Sequence, residues 1–352
     1  MRPLKVADLF CGVGGLSQGF IWASCEIAIG IEYDKEIAAS YKLNHPGTDV
    51  YADDIRNIDF KSLHDQHPDI DIVIGGPPCQ GFSQKGKRLS LNDERNYLFN
   101  SFVKFVEEFK PKYFVLENVP EITTTSNGFF RHEIISSFKS LGYDVTFGVL
   151  HAVDFGVPQD RRRAVFIGQL GKLEVSLPAP PHLHNSVKDA IYDLPFICSG
   201  EGSEATSYDK EPTSNLQKFL RGKSQILYNH ISTKHSKIAL ERLAMIPIGA
   251  GREVLPLEHR TKSIHSGTWC RLKEDGVAMT ITTRFDTPSS GRFTHPILDR
   301  CLTVREAARI QTFPDSFRFI GSKTSQMKQV GNAVPPLLAL AIAKEIIKNE
   351  YK

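Results

Sequence analysis

Ile72-Val-Ile-Gly-Gly-Pro-Pro-Cys79-Gln-Gly-Phe-Ser83 is an apolar run that ends abruptly in two glycines, two prolines and a single cysteine. The run reads as a buried parallel strand, and Gly-Gly-Pro-Pro as the turn leaving it. In an open α/β sheet, ligands bind outside the carboxyl ends of the strands. Cys79 therefore stands where a reaction can occur, on a loop whose prolines fix much of its backbone. Free cysteine is more often a buried small hydrophobe. A thiol used only for packing, however, needs neither Pro-Pro before it nor Gln-Gly-Phe-Ser after it.

On both sides of this run, strand-like and helix-like segments alternate. Strands are expected over residues 4–9, 26–31, 70–74, 113–116, 144–150 and 164–167. Helices are expected over 14–23, 35–44, 96–109 and 130–141; in the third, Leu98, Phe102, Phe105, Val106 and Phe109 recur at helical spacing. Such alternation predicts an α/β fold with a doubly wound, mostly parallel sheet. The character changes near Pro178. A short helix over 186–193 is followed by a polar stretch, and irregular sequence rich in Gly, Pro, His and basic residues runs to about Arg300. This reads as a smaller second domain with little regular helix. Residues 303–310 are helical again, and 329–345 read as a turn and an apolar helix returning to the first domain. The expected division is 1–195 with 327–352, then 196–300, with 301–326 as a hinge.

The chain has 352 residues, 41% hydrophobic and 24% charged, the balance of an ordinary globular protein of two domains. No apolar run approaches the ~18 residues of a membrane span. Asp8 interrupts the first apolar segment, so the N-terminus lacks a signal-peptide layout; a cytoplasmic protein with no membrane partner is expected. The six cysteines form no C-x-x-C pair and no cluster with zinc spacing, so no metal is expected. A net charge of +3 excludes neither nucleic acid nor a small ligand; the clustering of basic residues at Arg161–Arg163 and between Arg221 and Arg300 says more.

Asp8-Leu-Phe10-Cys-Gly12-Val-Gly14-Gly15-Leu16-Ser follows the first strand and opens a helix. Its G-x-G-G pattern differs from the G-x-G-x-x-G of dinucleotide folds, which favours a nucleoside without a pyrophosphate. Glu32 ends the second strand, where a carboxylate can hold ribose hydroxyls. Asp53-Asp54-Ile55 follows the third, where a carboxylate can accept from an adenine amino group and an apolar residue can cover the ring. Three strand ends offering Gly-Gly, Glu and Asp in order suggest S-adenosylmethionine. Glu117 ends the strand expected beside that of Cys79, and a nucleophile beside an acid suits covalent attack on an electron-poor ring. Arg161 and Arg163 alternate at a strand entrance, which puts them on one face, in reach of an anion or a polar base edge.

These residues together resemble the DNA (cytosine-5)-methyltransferases of prokaryotic restriction-modification systems, in the family's motif order from about Val6 to Ala339. Phe10-Cys-Gly-Val-Gly-Gly15 is similar to the cofactor motif, Gly76-Pro-Pro-Cys79-Gln80 to the catalytic loop, Glu117-Asn118-Val119 to the acid motif and Gln159-Asp-Arg161-Arg-Arg163 to Q-x-R-x-R. Residues 305–315 are similar to the motif near the domain hinge, and Gln329-Val-Gly-Asn332-Ala-Val334-Pro-Pro336 to the late motif that returns to the cofactor site. The resemblance implies a Rossmann-like class I methyltransferase sheet carrying a target-recognition domain, with Asp8, Phe10, Gly12, Gly14, Gly15, Leu16, Glu32, Asp54, Ile55, Pro78, Asn332 and Val334 around the cofactor. It implies Cys79 as nucleophile at cytosine carbon 6, Glu117 holding ring nitrogen 3 and the exocyclic amino group, and Arg161 and Arg163 completing the catalytic group. A flipped base in double-stranded DNA is implied as substrate. Gln80, Ser83, Arg163 and the Thr280, Thr282 and Arg284 of the stretch Ala278–Arg284 would touch DNA. A monomer is expected, with a cognate restriction endonuclease as a possible member of the same system but not a contact.

Three rivals are weaker. A tRNA-methylating branch shares the catalytic motifs but carries a Cys-Phe-Thr signature absent here. A non-catalytic binding protein would not need both Cys79 and Glu117. An NAD-dependent oxidoreductase is opposed by the glycine pattern and by the Pro-Pro-Cys loop.

Overall fold

Five segments lie side by side as parallel strands in the computed structural model, which describes residues 2–78, 97–181, 183–261 and 267–351. They are β1 (Lys5–Leu9), β2 (Glu26–Ile31), β3 (Asp49–Tyr51), β4 (Ile72–Gly75) and β5 (Tyr113–Asn118). After β6 (Tyr143–His151) and the two-residue β7 (Gln159–Asp160), the chain returns as β8 (Arg162–Leu170). The sheet order is β3-β2-β1-β4-β5-β8-β6, with β8 antiparallel to both neighbours. Order reverses between β1 and β4, the switch point at which such sheets bind ligands. Every residue of β4 and β5 is buried, which explains the unbroken apolar sequence of β4 and of β5 up to Leu116.

The helices on this sheet are α1 (Gly15–Trp22), α2 (Lys35–Asn44), α3 (Phe60–Gln66), α4 (Tyr97–Phe109) and α5 (Phe129–Ser140). Asp34 caps α2 and Asp59 caps α3 by accepting backbone N–H groups. α3 was not expected; seven residues with Leu63 as their one buried side chain give little periodicity to read. Phe102, Phe105, Phe114 and Phe138 fill the core, with the Phe114 and Phe138 rings stacked 3.8 Å apart. The C-terminal helix Pro336–Glu350 packs so tightly on α1 that a Cβ on Gly19 would lie 2.4 Å from that of Ala339.

This sheet unit comprises Met1–His151, Arg162–Pro180 and Pro336–Lys352; the second unit comprises Ala152–Arg161 and Pro181–Pro335. The second unit contains α6 (Val187–Ile191), β9 (Gly202–Ser207), α7 (Asn215–Arg221), β10 (Ile226–Ile231), α8 (Lys237–Ala244), β11 (Ala278–Met279), α9 (Val304–Ile310) and α10 (Lys323–Asn332). β9 and β10 pair antiparallel, and β7 pairs with β11. It is thus more regular than the sequence suggested.

Its borders also differ from the expected ones. Residues 152–161, 181–195 and 301–335 belong to it, and 301–326 is not a separate hinge. The reason is a set of buried ion pairs. Arg309 donates to Asp315 at 2.5 and 2.6 Å and to Asp193 at 3.1 Å, and Arg300 donates to both oxygens of Glu306 at 2.8 and 2.7 Å. The fully buried guanidinium of Arg305 donates to the carbonyls of Tyr228, Pro314 and Phe317. Breaking one such pair strands a buried charge, so these residues move with the unit that surrounds them. Residues 323–350 are long and apolar, but the helix breaks between Asn332 and Pro336, and more than half of the most apolar window is buried, as in a core helix.

Candidate active site

Glu117 is brought to the site by β5. β4 and β5 run in register, Gly75 beside Leu116, so the Gly-Gly-Pro-Pro turn and Glu117 leave adjacent strand ends. A Cβ on Gly76 would meet the Glu117 carboxylate at 2.8 Å; glycine there lets the carboxylate lie against the turn. Asn118 donates to the Pro77 carbonyl at 2.9 Å and accepts from its neighbour Val119 N–H at 2.9 Å, fixing the turn to β5. Pro78 ends this described stretch. Cys79, Gln80 and Ser83 lie outside the described residues.

Arg163 enters from β8, its Nε 2.6 Å from Glu117 Oε1, with both side chains mostly shielded from solvent. A short ion pair in such surroundings holds the carboxylate in one orientation.

The glycine loop runs along the neighbouring end of β1. Phe10, Gly12 and Gly14 all have positive φ, at 56°, 55° and 96°. Glu32 accepts from Gly12 N–H at 3.0 Å and from Asp34 N–H at 2.9 Å, so it braces the loop against β2. Gly14 is required twice over, since a Cβ there would also lie 2.2 Å from the His45 ring. Leu16 is buried in the first turn of α1. Beneath the loop Asp8 is fully buried, accepts from Ser17 Oγ at 2.6 Å and has its Oδ1 without a partner among the described residues. Ser17 Oγ lies 2.7 Å from the Tyr41 hydroxyl. Burial, with Glu32 nearby, pushes the Asp8 carboxyl up to about 7. Burial also raises the Cys11 thiol well above its ordinary range, which makes it inert.

This lining suits one kind of ligand. It offers the carboxylate of Glu32 beside the loop, with Asp8 buried beneath it, and no basic side chain between Phe10 and Leu16. That opposes a pyrophosphate and fits a nucleoside carrying positive charge, such as a sulfonium. At the third strand end, Asp54 accepts from Arg56 N–H and pairs with its guanidinium at 2.6 Å, and Ile55 packs into the core.

In the second unit, Arg161 departs from expectation. It does not share a strand face with Arg163: it precedes β8, is 1% exposed, and donates to the carbonyls of Ile281 at 3.1 Å and Gly331 at 2.9 Å. Thr280 donates to the Asp160 carbonyl, and Thr282 and Arg284 are exposed. Asn332 is exposed at the end of α10 and Val334 is buried beyond it. Sequence reasoning missed Tyr41 beneath the loop, and it read Ser17, Gln159 and Gln311 only as members of motif stretches, without their buried hydrogen bonds. The partners of the two glutamines are distant in sequence, so no local pattern announces those bonds. No group of three metal-ligating side chains occurs among the described residues.

A profile of C-5 cytosine-specific DNA methylases matches residues 4–348, and the chain belongs to that family of enzymes. It is 38% identical over 98% of its length to the Type II methyltransferase M1.HphI of Haemophilus parahaemolyticus, covering 87% of that relative. It is 37% identical over 97% of its length to the Type II methyltransferase M.DdeI of Desulfomicrobium norvegicum, covering 88% of it. A solved structure described as a DNA modification methyltransferase encoded within an E. coli prophage superposes with a TM-score of 0.83 at 30% identity, covering 99% of this chain and 100% of that one.

Proposed function

We propose that this protein transfers a methyl group from S-adenosylmethionine to carbon 5 of a cytosine flipped out of duplex DNA, at a specific site. The observation that carries the reading is the meeting of three strand ends: the glycine loop after β1, the Gly-Gly-Pro-Pro turn after β4 and the Glu117–Arg163 pair at the end of β5. When bound, the sulfonium cofactor supplies an electrophilic methyl. Glu32 would be the acidic group beside it, and Phe10, the loop glycines, Leu16, Asp54, Ile55 and Pro78 would shape its pocket; Asp8, Asn332 and Val334 join this set only through the family resemblance.

Cys79 adds as a thiolate to carbon 6 of the ring, which makes carbon 5 nucleophilic. Glu117, oriented by Arg163, holds ring nitrogen 3 and the exocyclic amino group and so stabilises the ring as the thiolate adds. After methyl transfer, loss of the carbon 5 proton to a base restores the ring and expels the thiolate. Gln80, Ser83, Thr282 and Arg284 would touch the DNA. The Type II naming of the relatives supports a role in protecting host DNA within a restriction-modification system; a cytoplasmic monomer is the form proposed with it.

The test is duplex DNA carrying 5-fluorocytosine at a site found by bisulfite sequencing of an expressing host. Fluorine cannot leave as a proton does, so a covalent protein–DNA adduct should accumulate with the natural protein and not with Cys79→Ser. No adduct at a confirmed site would overturn the mechanism. Methylation of tRNA but not of duplex DNA would replace it with the RNA reading.

A further inference from the structure

Four segments far apart in sequence converge around Gln159 and Arg161 inside the second unit. β7 and β11 pair Gln159 with Ala278 and Asp160 with Met279. Gln159 Oε1 accepts from Ile281 N–H at 2.8 Å, and its Nε2 donates to Gln311 Oε1 at 2.9 Å. Gln311 in turn donates to the Val330 carbonyl at 2.8 Å. Arg161 ties the carbonyls of Ile281 and Gly331 together, and Thr280 donates to the Asp160 carbonyl at 2.5 Å. Gly331 closes the set, because a Cβ there would lie 2.2 Å from the Thr282 carbonyl oxygen and 2.7 Å from Thr283 N. Gln159, Arg161, Ile281 and Gln311 are buried, whereas Thr282 and Arg284, just beyond them, are exposed.

We infer that Gln159, Arg161 and Gly331 are positioning residues for DNA recognition: a buried clamp that sets the path of Ala278–Thr283 and so fixes the exposed Thr282 and Arg284 against the duplex. The inference rests on the proposed placement of that segment at the DNA. It changes the part given to Arg161, whose fork is engaged by two backbone carbonyls and acts through the segment rather than on the base. A Cβ at Gly331 meets backbone, so no rotamer change relieves it; the segment must shift. Arg161 is equally hard to replace, since a lysine ammonium cannot span two carbonyls as a guanidinium does.

The experiment compares Gly331→Ala, Arg284→Ala and the double variant in the full-length protein, using plasmid DNA that carries the mapped sites. Each single variant should raise the KM for DNA on the order of tenfold, as misplacement of a contact does. The double variant should be no worse than the poorer single one. The kcat at saturating DNA and the affinity for S-adenosylhomocysteine should be unchanged. Losses that multiply in the double variant overturn the clamp. Unchanged KM in Arg284→Ala overturns the underlying placement of the segment at DNA, a separate result. If Gly331→Ala does not fold, Arg161→Lys carries the same test: a raised DNA KM with kcat intact supports positioning, and a lost kcat with KM intact assigns Arg161 to the chemistry instead.

Discussion

Arg163 Nε and Glu117 Oε1 are 2.6 Å apart, reaching each other across the antiparallel ladder in which Glu117 pairs with Val165. The strand pairing sets this relationship before any substrate arrives. Removing one partner leaves the other charged and poorly solvated, at a cost of about 3 kcal/mol. Glu117→Gln and Arg163→Met should therefore each lower the melting temperature, and the double variant should recover part of the loss. All three should lose methyl transfer by at least about 100-fold, the usual scale of a lost acid or base. Thermal melts beside turnover assays check this, and additive melting shifts would show that the pair is not coupled.

Asp8 makes stability depend on pH in an unusual direction. Its carboxyl, raised from 3.8 to about 7, keeps a proton in the folded chain at pH values where the unfolded chain has released it. The folded state binds more protons, so stability from this group is present at about pH 4 and declines as pH rises towards 7. Asp8→Asn keeps an oxygen to accept from Ser17 and removes the titration. The fall in melting temperature between about pH 5 and 8 should be shallower in the variant, and parallel curves would refute the assignment.

Gly168 has no room for a methyl group. A Cβ there would lie 1.9 Å from a Phe114 ring carbon, and that ring is held by its stack on Phe138. Gly168→Ala should destabilise the sheet unit by about 3 kcal/mol, the upper range of ordinary overpacking. Gly47→Ala is the control, since nothing lies within 4 Å of its added Cβ. Denaturant midpoints should fall for the first and stay put for the second.

The sheet was largely legible in the sequence because its inner strands are buried and read as mainly apolar runs. Their ends were legible too, since Gly-Gly, Glu32 and Glu117 interrupt those runs. β6 and β8 ran longer than expected, to Tyr143–His151 and Arg162–Leu170; several of the added residues, such as Arg162, Arg163 and Gln169, are polar and give no strand signal of their own. The borders of the second unit were not legible. β7 is two residues long and finds its partner β11 more than a hundred residues later, and no local pattern announces such a pairing. The burial of Arg305 and Arg309 was hidden for a similar reason: Asp193, one partner of Arg309, lies more than a hundred residues earlier in the chain. Arg161 was read by alternation along a strand that in fact begins one residue later.

Phe10 has a side chain yet adopts a left-handed backbone, as Gly12 and Gly14 do. That conformation is costly for a bulky residue and persists only where its surroundings enforce it. The cost falls on folding, so a nucleoside arriving at this loop meets a finished mould and surrenders little entropy to complete it. Cofactor capture should accordingly be limited by diffusion and desolvation rather than by rearrangement of the backbone.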